Sequence, residues 1–485
     1  MSNYAIQLKD YSFRYLNTEK WVVKNCNFDV KYGELVVLSG LSGEGKSTIL
    51  SSINGIIPNV QFGDQEGEVF VDNRPIKNMK MSHISHLVGS VLQNPDSQII
   101  HAKVEDEISF GCENFNFPKE EIGLRIEEAC KLMLLNKDWN TKTLSGGQKQ
   151  RLITASVLAM GQKILILDEP LANLDLEGAH TLLKLLKDLT KEGYAVLIVE
   201  HRLDVVIPYA HRVAWLNDGR TEFYENKQDV FKKTSHRIMD DTIKKAISNE
   251  NLIEVKNLCY DINNRNILKD LNFTIKKGER IVILGENGCG KTTLMRLLAK
   301  MIKPTSGEIV DYIDTRVKKK ADGHWFKKLG FIYQNPNYQI FMPQVREEVA
   351  YQSISEEATQ EFMNIFYLEE LAEKHPHSLS EGQKRRLTIA SILVMKPELI
   401  LLDEPTVGQD YDGLQNIIKR LNDIHEKTGN TMITITHDYR CAAAIADRII
   451  WLNEGKVKKI GGKELAEEYF NQNLESSRNR NKELD

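Results

Sequence analysis

The chain has 485 residues, of which 41% are hydrophobic and 27% charged, and its formal net charge is −4. This composition is typical of a globular protein with two or more domains, and it excludes a strongly basic chain that would bind nucleic acid through its overall charge. The six cysteines include no CxxC pair, which favours reduced thiols over a disulfide framework or a zinc site.

Membrane and export signals are not evident. No apolar run approaches the roughly 20 residues that a membrane-spanning helix needs. The opening residues, MSNYAIQLKD, do not resemble a signal peptide. We therefore expect a cytoplasmic chain with no transmembrane segment of its own.

The first element with a clear chemical meaning is a glycine-rich turn between an apolar strand and a helix. This turn, GLSGEGKS from Gly40 to Ser47, matches the pattern G-x-x-x-x-G-K-S/T. Its backbone N–H groups are expected to bind phosphate, assisted by the helix N-terminus. Lys46 should reach the β and γ phosphates, and Ser47 offers a hydroxyl to Mg²⁺. The turn therefore predicts a nucleotide site.

Further along, the apolar run ILILDEP predicts a buried strand that ends in adjacent carboxylates. Asp168 lies where a carboxylate at a strand end can hold Mg²⁺ through water. Glu169 follows it and, by strand alternation, should face the other way and orient or deprotonate the attacking water. The simpler alternative is a solvated acidic strand end.

Both motifs recur in the second half of the chain, which makes chance matches improbable. GENGCGKT, from Gly285 to Thr292, repeats the phosphate turn, and LILLDEP repeats the acidic strand with Asp403 and Glu404. Lys46 corresponds to Lys291, and His201 corresponds to His437. The interval from lysine to histidine is shorter in the second copy, so the first copy has a few extra residues. We assign them to IIPNVQFGDQEGE.

The repeat predicts an α/β chain with two tandem P-loop ATPase domains. Short buried strands alternate with helices in each copy, which indicates a parallel-sheet core, and the middle of each copy predicts a helical subdomain. We place the first domain at residues 1–225, a linker at 226–250, the second domain at 251–465 and a charged tail at 466–485.

The peptides TLSGGQKQRL and SLSEGQKRRL identify a family resemblance. LSGGQ and LSEGQ are the signature of ATP-binding-cassette (ABC) ATPases, and the chain resembles that family over nearly its whole length, twice. The resemblance implies that each domain has a RecA-like core with a helical and an antiparallel β subdomain. It also implies that the two cassettes pair head to tail and that ATP and Mg²⁺ are the cofactors. Ser145 would then complete the site of Lys291, and Ser380 that of Lys46; each serine can cap the helix that follows it.

The resemblance assigns the remaining site residues. Gln93 and Gln334 match the glutamine loop, His201 and His437 the switch histidine, and Tyr15 the aromatic that stacks on adenine; Ile262 holds that register in the second copy, with Tyr260 as our substitute. The residues expected in catalysis are Glu169, Glu404, His201, His437, Gln93 and Gln334. Those expected to hold Mg²⁺ are Ser47, Gln93, Asp168, Thr292, Gln334 and Asp403. Those expected to contact the nucleotide are Tyr15, Gly40, Ser42, Gly43, Gly45, Lys46, Ser47, Thr48, Gly285, Asn287, Gly288, Gly290, Lys291, Thr292, Thr293, Ser145, Gly147, Ser380 and Gly382.

Within the family, the chain most resembles the tandem ATPase of energy-coupling-factor importers. Double-cassette sugar importers typically have a damaged second phosphate loop, but Lys291 is retained here. Soluble double-cassette translation factors usually carry a long charged linker between the cassettes, which we do not find in this sequence. The resemblance implies a peripheral ATPase on the cytoplasmic face of the membrane that powers uptake of a vitamin, a vitamin precursor or a transition-metal ion. Its partners would be a transmembrane scaffold (T component) and a substrate-binding membrane protein (S component). The alternative is a soluble ATPase that acts on ribosomes or nucleic acid.

Two differences between the copies lead to separate expectations. Glu381 replaces Gly146 and should bring negative charge toward the phosphates held by Lys46, which would make that site the weaker one. Cys289 lies inside the second phosphate loop, so alkylation of its thiol should block nucleotide there, and ATP should protect it.

Overall fold

The computed structural model describes residues 3–16, 18–41, 43–172, 174–224, 226–230, 248–262, 265–313, 323–407, 409 and 411–472. The chain divides into two compact units, Met1–His236 and Arg237–Asp485. Most of the predicted linker, most of the predicted tail and the predicted site residue Ser42 lie outside the described residues.

The first unit contains two sheets. Its strands are β1 Tyr4–Tyr15, β2 Val23–Lys31, β3 Leu35–Gly40, β4 Gly63–Val71, β5 Arg74–Pro75, β6 Val88–Val91, β7 Ile164–Asp168, β8 Ala195–Val199, β9 Arg212–Asn217 and β10 Arg220–Tyr224. One sheet is antiparallel, with the order β2-β1-β4-β5. The other has the order β10-β9-β3-β8-β7-β6 and is parallel except for β10 at its edge.

Helices of the first unit follow the phosphate loop, form the middle segment and connect the later strands. They are α1 Lys46–Ile53, α2 Ile56–Asn59, α3 Met81–Ser85, α4 Val104–Asn114, α5 Lys119–Leu132, α6 Gly146–Met160, α7 Leu176–Lys191 and α8 Leu203–Val206. Short 3₁₀ turns cover Pro95–Ser97, Thr141–Thr143 and Lys227–Val230. Helices α4 and α5 pack against α6, which gives the predicted helical subdomain.

The second unit repeats this plan over the residues that the structure describes. Its strands are β11 Asn251–Ile262, β12 Arg265–Lys276, β13 Arg280–Leu284, β14 Ser306–Asp311, β15 Leu329–Ile332, β16 Leu399–Asp403, β17 Thr431–Ile435, β18 Arg448–Asn453 and β19 Lys456–Gly461. The antiparallel sheet has the order β12-β11-β14, and the larger sheet has the order β15-β16-β17-β13-β18-β19 with only β19 antiparallel. Strand β14 is three residues shorter than β4, as expected if the extra residues of the first copy follow its first helix.

Helices of the second unit occupy the equivalent places. They are α9 Lys291–Leu298, α10 Gly323–Lys328, α11 Val345–Ala350, α12 Glu356–Ile365, α13 Glu381–Leu393, α14 Tyr411–Thr428, α15 Tyr439–Ile445 and α16, residues 464–472. Short 3₁₀ turns cover Pro336–Tyr338, Glu369–Leu371 and Pro376–Ser378. The predicted tail boundary at 465 falls inside α16, whose Tyr469 is buried with its ring 5.1 Å from that of Trp451. This helix therefore packs on the second unit.

The sheet order places the chemistry at one edge of each core. Strands β3, β8 and β7 are adjacent, parallel and fully buried, so their carboxyl ends meet at the same edge. The phosphate loop follows β3, His201 follows β8 and Glu169 follows β7. In the second unit β13, β17 and β16 repeat this arrangement. The predicted fold of two P-loop cores, each with an antiparallel sheet and a helical segment, is confirmed. Over the described residues, none of the helices has the length and apolarity that crossing a membrane requires.

Candidate active sites

The two phosphate loops have the same backbone geometry. Gly45 and Gly290 both have φ 102°, and a Cβ on either would lie within 3 Å of a neighbouring side chain, so only glycine fits. The buried Lys46 donates from Nζ to the carbonyls of Gly40 (2.9 Å) and Leu41 (2.7 Å). Lys291 makes the same contacts with Gly285 and Glu286. Each ammonium group is thus held over its loop, where it would meet phosphate oxygens.

Next to each lysine, a hydroxyl and a carboxylate form a hard-oxygen donor pair. Ser47 Oγ donates to Asp168 Oδ2 at 3.1 Å, and Thr292 Oγ1 to Asp403 Oδ2 at 3.0 Å. Burial, together with the charge of Glu169, raises the pKa of Asp168 to about 6, and burial also raises the pKa of Asp403. Oxygen donors in a buried, acidic setting fit Mg²⁺, which would compensate the charge.

The glutamates adopt a backbone conformation that strand alternation did not predict. The strands end at Asp168 and Asp403, and Glu169 and Glu404 have φ 46° and 52°, in the left-handed region that non-glycine residues rarely occupy. Their N–H groups still bond to the adjacent strand, at Val199 (2.9 Å) and Ile435 (3.0 Å). The prediction that each glutamate faces away by simple alternation is therefore wrong. Instead, the left-handed conformation sets the direction of the side chain. Such backbone strain is typical of functional sites.

Each glutamate contacts the predicted switch histidine. His201 Nε2 lies 3.3 Å from Glu169 Oε1, and His437 Nε2 lies 3.3 Å from Glu404 Oε1. Burial alone would raise the pKa of Glu169, but His201, Lys46 and Gln93 together outweigh it and lower that pKa. In the second site, Nε2 of His437 also lies 3.1 Å from Asn287 Oδ1, a predicted nucleotide contact. The structure thus brings these catalytic candidates together in each unit.

The two predicted glutamines are placed differently. Gln93 Nε2 donates to Glu169 Oε2 at 2.9 Å. The Gln334 side chain is exposed and has no hydrogen bond within the described part of the chain. Both loops are otherwise built alike, since Gln98 and Gln339 each accept from the backbone N–H of the residue before the catalytic glutamine. Within the described parts of the chain, a side-chain hydrogen bond between the glutamate and the glutamine is therefore present at the first site and not at the second.

The signature serines cap their helices, as predicted. Ser145 Oγ accepts from the N–H of Gln148, whose side chain accepts from Ser145 N, and Ser380 and Gln383 repeat this capping box. Both serines are exposed. The buried Gly147, and Gly382 beside the Gln409 amide, lie in the first turns of these helices.

Tyr15, predicted to stack on adenine, is half-buried beside the first phosphate loop. Its hydroxyl lies 3.0 Å from Thr48 Oγ1, a predicted nucleotide contact. In the second unit Tyr260 packs against the core, Ile262 is largely exposed, and Thr293 is half-buried on α9. The base position is therefore better defined in the first unit.

Cys289 is less reactive than its place in a phosphate loop suggests. It is buried, and burial raises the pKa of its thiol. Five of the six cysteines are buried, and only Cys259 is half-exposed. We therefore expect one thiol per native chain to react quickly with a chromogenic disulfide reagent, and six after unfolding. Fast reaction of two or more thiols in the native chain would contradict this expectation. A fast-reacting thiol that persists in a Cys259→Ser chain would also contradict it.

Glu200 and Arg202 belong to the first site, although no sequence motif predicted them. The buried Glu200 accepts the backbone N–H groups of His201 (2.8 Å) and Arg202 (3.1 Å), and Arg202 donates to the carbonyls of Leu171 and Leu174. These residues therefore hold the segment that leads to Asp175, the N-cap of α7.

The second unit lacks this arrangement because Thr436 and Asp438 occupy the equivalent positions. There the N–H of His437 donates to Glu404 itself, at 3.2 Å. Aligning the two copies position by position would have singled out Glu200. By accepting the N–H of His201, Glu200 leaves Glu169 Oε2 available to Gln93.

Replacing Glu200 with threonine, the residue of the second copy, is expected to lower ATP turnover by about tenfold, equivalent to about 1.4 kcal/mol. The N–H of His201 would then compete with Gln93 for Glu169. Steady-state turnover is the measurement, with Glu200→Gln as the milder control because it retains an acceptor oxygen. Unchanged turnover in Glu200→Thr would show that Glu200 does not position Glu169.

Comparison with known proteins extends these observations. The protein-family model described as "ABC transporter" matches residues 23–172 and 268–407. The chain is 34% identical to the "Putative HMP/thiamine import ATP-binding protein YkoD" of Bacillus subtilis (strain 168), over 93% of this chain and 90% of that protein. It is 33% identical to a "Putative ABC transporter ATP-binding protein" of Streptococcus pneumoniae serotype 4, over 94% and 90% of the two chains.

Solved structures with two such units are also similar. A model of ribosome-bound archaeal Pelota and ABCE1 matches with a TM-score of 0.71 at 20% identity, over 97% of this chain and 81% of that one. The archaeal ribosome recycling factor aABCE1, in complex with ribosomal stalk protein aP1, matches with a TM-score of 0.65 at 22% identity, over 95% and 92%. At these identities the likeness concerns the fold alone.

Proposed function

The chain belongs to the ABC transporter family of ATPases, and we propose that its two cassettes power the uptake of a small solute through separate membrane subunits. ATP binding and ATP hydrolysis follow from membership of the family. The further assignment, to an importer of the energy-coupling-factor type, is our proposal.

One observation carries this proposal. The Bacillus subtilis relative, named for HMP/thiamine import, aligns over nearly the full length of both chains at 34% identity. That match supports an importer whose solute is a vitamin or a vitamin precursor. A transition-metal ion is the remaining class of solute in our proposal.

The residues at each site suit ATP hydrolysis. Lys46 and Lys291 would bind the β and γ phosphates, and Glu169 and Glu404 would each orient and deprotonate the attacking water. His201 and His437 would contact the γ-phosphate.

We propose that Mg²⁺ is held by Ser47, Asp168 and Gln93 in the first site and by their equivalents Thr292, Asp403 and Gln334 in the second. When bound, Mg²⁺ would neutralise charge on the phosphates. We further propose that the cassettes pair head to tail, so that Ser145 and Ser380 each offer a helix N-terminus to the nucleotide of the other cassette.

Exposed apolar residues support a membrane partner. Ile100 and Phe341 hold equivalent positions after the two glutamine loops, and they are 68% and 76% exposed. A single exposed apolar side chain is ordinary on a protein surface, so the support here comes from the equivalent placement of the two residues beside the glutamine loops. We propose that a T component contacts these positions, that an S component binds the solute, and that the chain lies on the cytoplasmic face of the membrane.

Mild detergent extraction of cell membranes followed by purification of the chain tests the proposal. We expect integral membrane proteins to be recovered with the wild-type chain and lost from an Ile100→Ser, Phe341→Ser chain that still hydrolyses ATP. The recovered complex, placed in vesicles, should then take up HMP or thiamine with ATP, and a Glu169→Gln, Glu404→Gln chain should not.

The alternative function, on ribosomes, has a different outcome in the same experiment. Recovery of the chain with ribosomes and with no membrane subunit would overturn the importer proposal. Recovery of membrane subunits without HMP or thiamine uptake would retain the importer and exclude those two solutes.

A further inference from the structure

A buried arginine joins the signature helix of the second unit to its glutamine loop. Arg385, on α13, is 3% exposed. Its Nη1 donates to the carbonyl of Tyr333 at 2.8 Å, and its Nη2 donates to the carbonyl of Gln334. The backbone that carries Gln334 is therefore held by a charged side chain from the helix that Ser380 caps.

The charge of Arg385 is compensated mainly by Glu381. Burial lowers the pKa of Arg385 to about 10, and Glu381, followed by Glu404 and Asp403, opposes this effect, so the guanidinium stays charged at neutral pH. Glu381 lies one turn before Arg385 and also contacts Lys384, with Oε1 3.3 Å from Nζ. A buried cation without such compensation is strongly destabilising.

This finding changes the interpretation of Glu381. The sequence suggested that Glu381 brings negative charge toward the phosphates held by Lys46. Instead, Glu381 balances two cations of its own helix, Lys384 and Arg385. The expectation that Glu381 weakens the Lys46 site stays a prediction.

The first unit lacks this pair and has a different link at the same place. Gln150 replaces Arg385 and Gly146 replaces Glu381. Gln150 is buried, and neither polar atom of its side chain has a hydrogen-bond partner among the described residues. Instead, Lys149 Nζ contacts Asp96 Oδ1 of the glutamine loop at 2.5 Å.

The second unit has asparagine, Asn337, where the first has Asp96. The two units therefore differ at all three positions. The unit with no carboxylate at this position of the glutamine loop has the buried arginine and its acidic partner. In each unit a charged side chain of the signature helix bonds to the glutamine loop: Lys149 to a carboxylate in the first, and Arg385 to two backbone carbonyls in the second.

We propose that Arg385 is a positioning residue that holds the glutamine loop of the second cassette for ATP hydrolysis, and that Glu381 is its counter-charge. The inference rests on the ATPase activity of the family and on the role proposed above for Gln334. Arg385 acts through the backbone of Tyr333 and Gln334, so its loss should misplace the Gln334 side chain without removing it.

Steady-state ATPase measurements on the full chain test this proposal. Arg385→Gln, which gives the residue of the first copy, is expected to lower kcat by about tenfold, to leave KM for ATP within about twofold and to raise the Mg²⁺ concentration needed for half-activation. Arg385→Lys should recover part of kcat. Equal losses in Arg385→Lys and Arg385→Gln, or an unchanged Mg²⁺ requirement, would overturn the proposal.

A double-mutant cycle separates positioning from a general loss of structure. Combined with Gln334→Ala, Arg385→Gln should add little further loss, because both changes act on the same glutamine. Combined with Gln93→Ala in the first cassette, Arg385→Gln should still cause a further loss, because the two changes act on different glutamines. Additivity with Gln334→Ala would contradict positioning. If Gln334→Ala alone has no effect, the role proposed for Gln334 fails instead.

Glu381 provides a second route if Arg385→Gln does not fold. Glu381→Gly and Glu381→Gln should both lower kcat by about threefold, and Glu381→Asp should restore it, because the charge is what matters. These changes should also be non-additive with Gln334→Ala. Wild-type kcat in both Glu381→Gly and Glu381→Gln would overturn the counter-charge role.

Discussion

Glu169→Gln and Glu404→Gln should each lower ATP turnover by about 100-fold or more, the range for loss of a general base, while ATP binding is retained. Glutamine keeps the size of the side chain and its contact with the switch histidine, but it cannot accept a proton from water. Each single variant should stop most of the turnover, because in the head-to-tail arrangement that we propose the cassettes reset together.

Turnover and nucleotide retention should be measured on the same preparations. Glu68→Gln, an exposed position on β4, is the matched control and should behave as wild type. Tightly retained ATP is expected in both active-site variants after gel filtration. If one variant keeps half of the activity, the two sites work independently; if one keeps all of it, that glutamate is not the base of a productive site.

Lys46→Ala and Lys291→Ala should each weaken ATP binding at one site by about 10- to 100-fold. The buried ammonium lies over its loop through two carbonyl contacts, and a hydrogen bond to a charged group contributes about 1.5 to 3 kcal/mol. At ATP concentrations that fill both wild-type sites, each variant should bind one ATP per chain instead of two, as measured by equilibrium dialysis.

An exposed lysine provides the control for charge alone. Lys191, at the end of α7, is 74% exposed, and Lys191→Ala should still bind two ATP per chain. Loss of both sites in a single active-site variant would show that the second nucleotide binds only to a chain that already holds the first. Two bound ATP in Lys46→Ala would remove that lysine from the site.

Features formed within one short segment were predictable from the sequence. The phosphate loop follows from the spacing of Gly40, Gly45 and Lys46, and the helix cap at Ser145 follows from the glutamine three residues later. A parallel core was expected from buried strands that alternate with helices; the strand order β3-β8-β7, which brings Asp168 and His201 to one edge, was not.

Features that depend on distant residues were not predictable. The left-handed conformation of Glu169 occurs where β7 ends, although its N–H still bonds to Val199 of the neighbouring strand, and the alternation rule does not contain it. Gln93 and Gln334 both open the sequence Gln-Asn-Pro, yet Glu200 and Arg385, far along the chain, give them different surroundings. The ion pair of Lys149 with Asp96 likewise joins segments 53 residues apart.

The left-handed conformation of Glu169 and Glu404 has a consequence for how such a duplicated enzyme can change over time. A left-handed non-glycine residue costs about 1 to 2 kcal/mol of folding stability, so glycine at either position would favour the folded chain while abolishing the base. Selection for folding stability alone would therefore favour cassettes without the catalytic glutamate. Both copies keep the strained carboxylate, as we expect if both of the sites that we propose hydrolyse ATP.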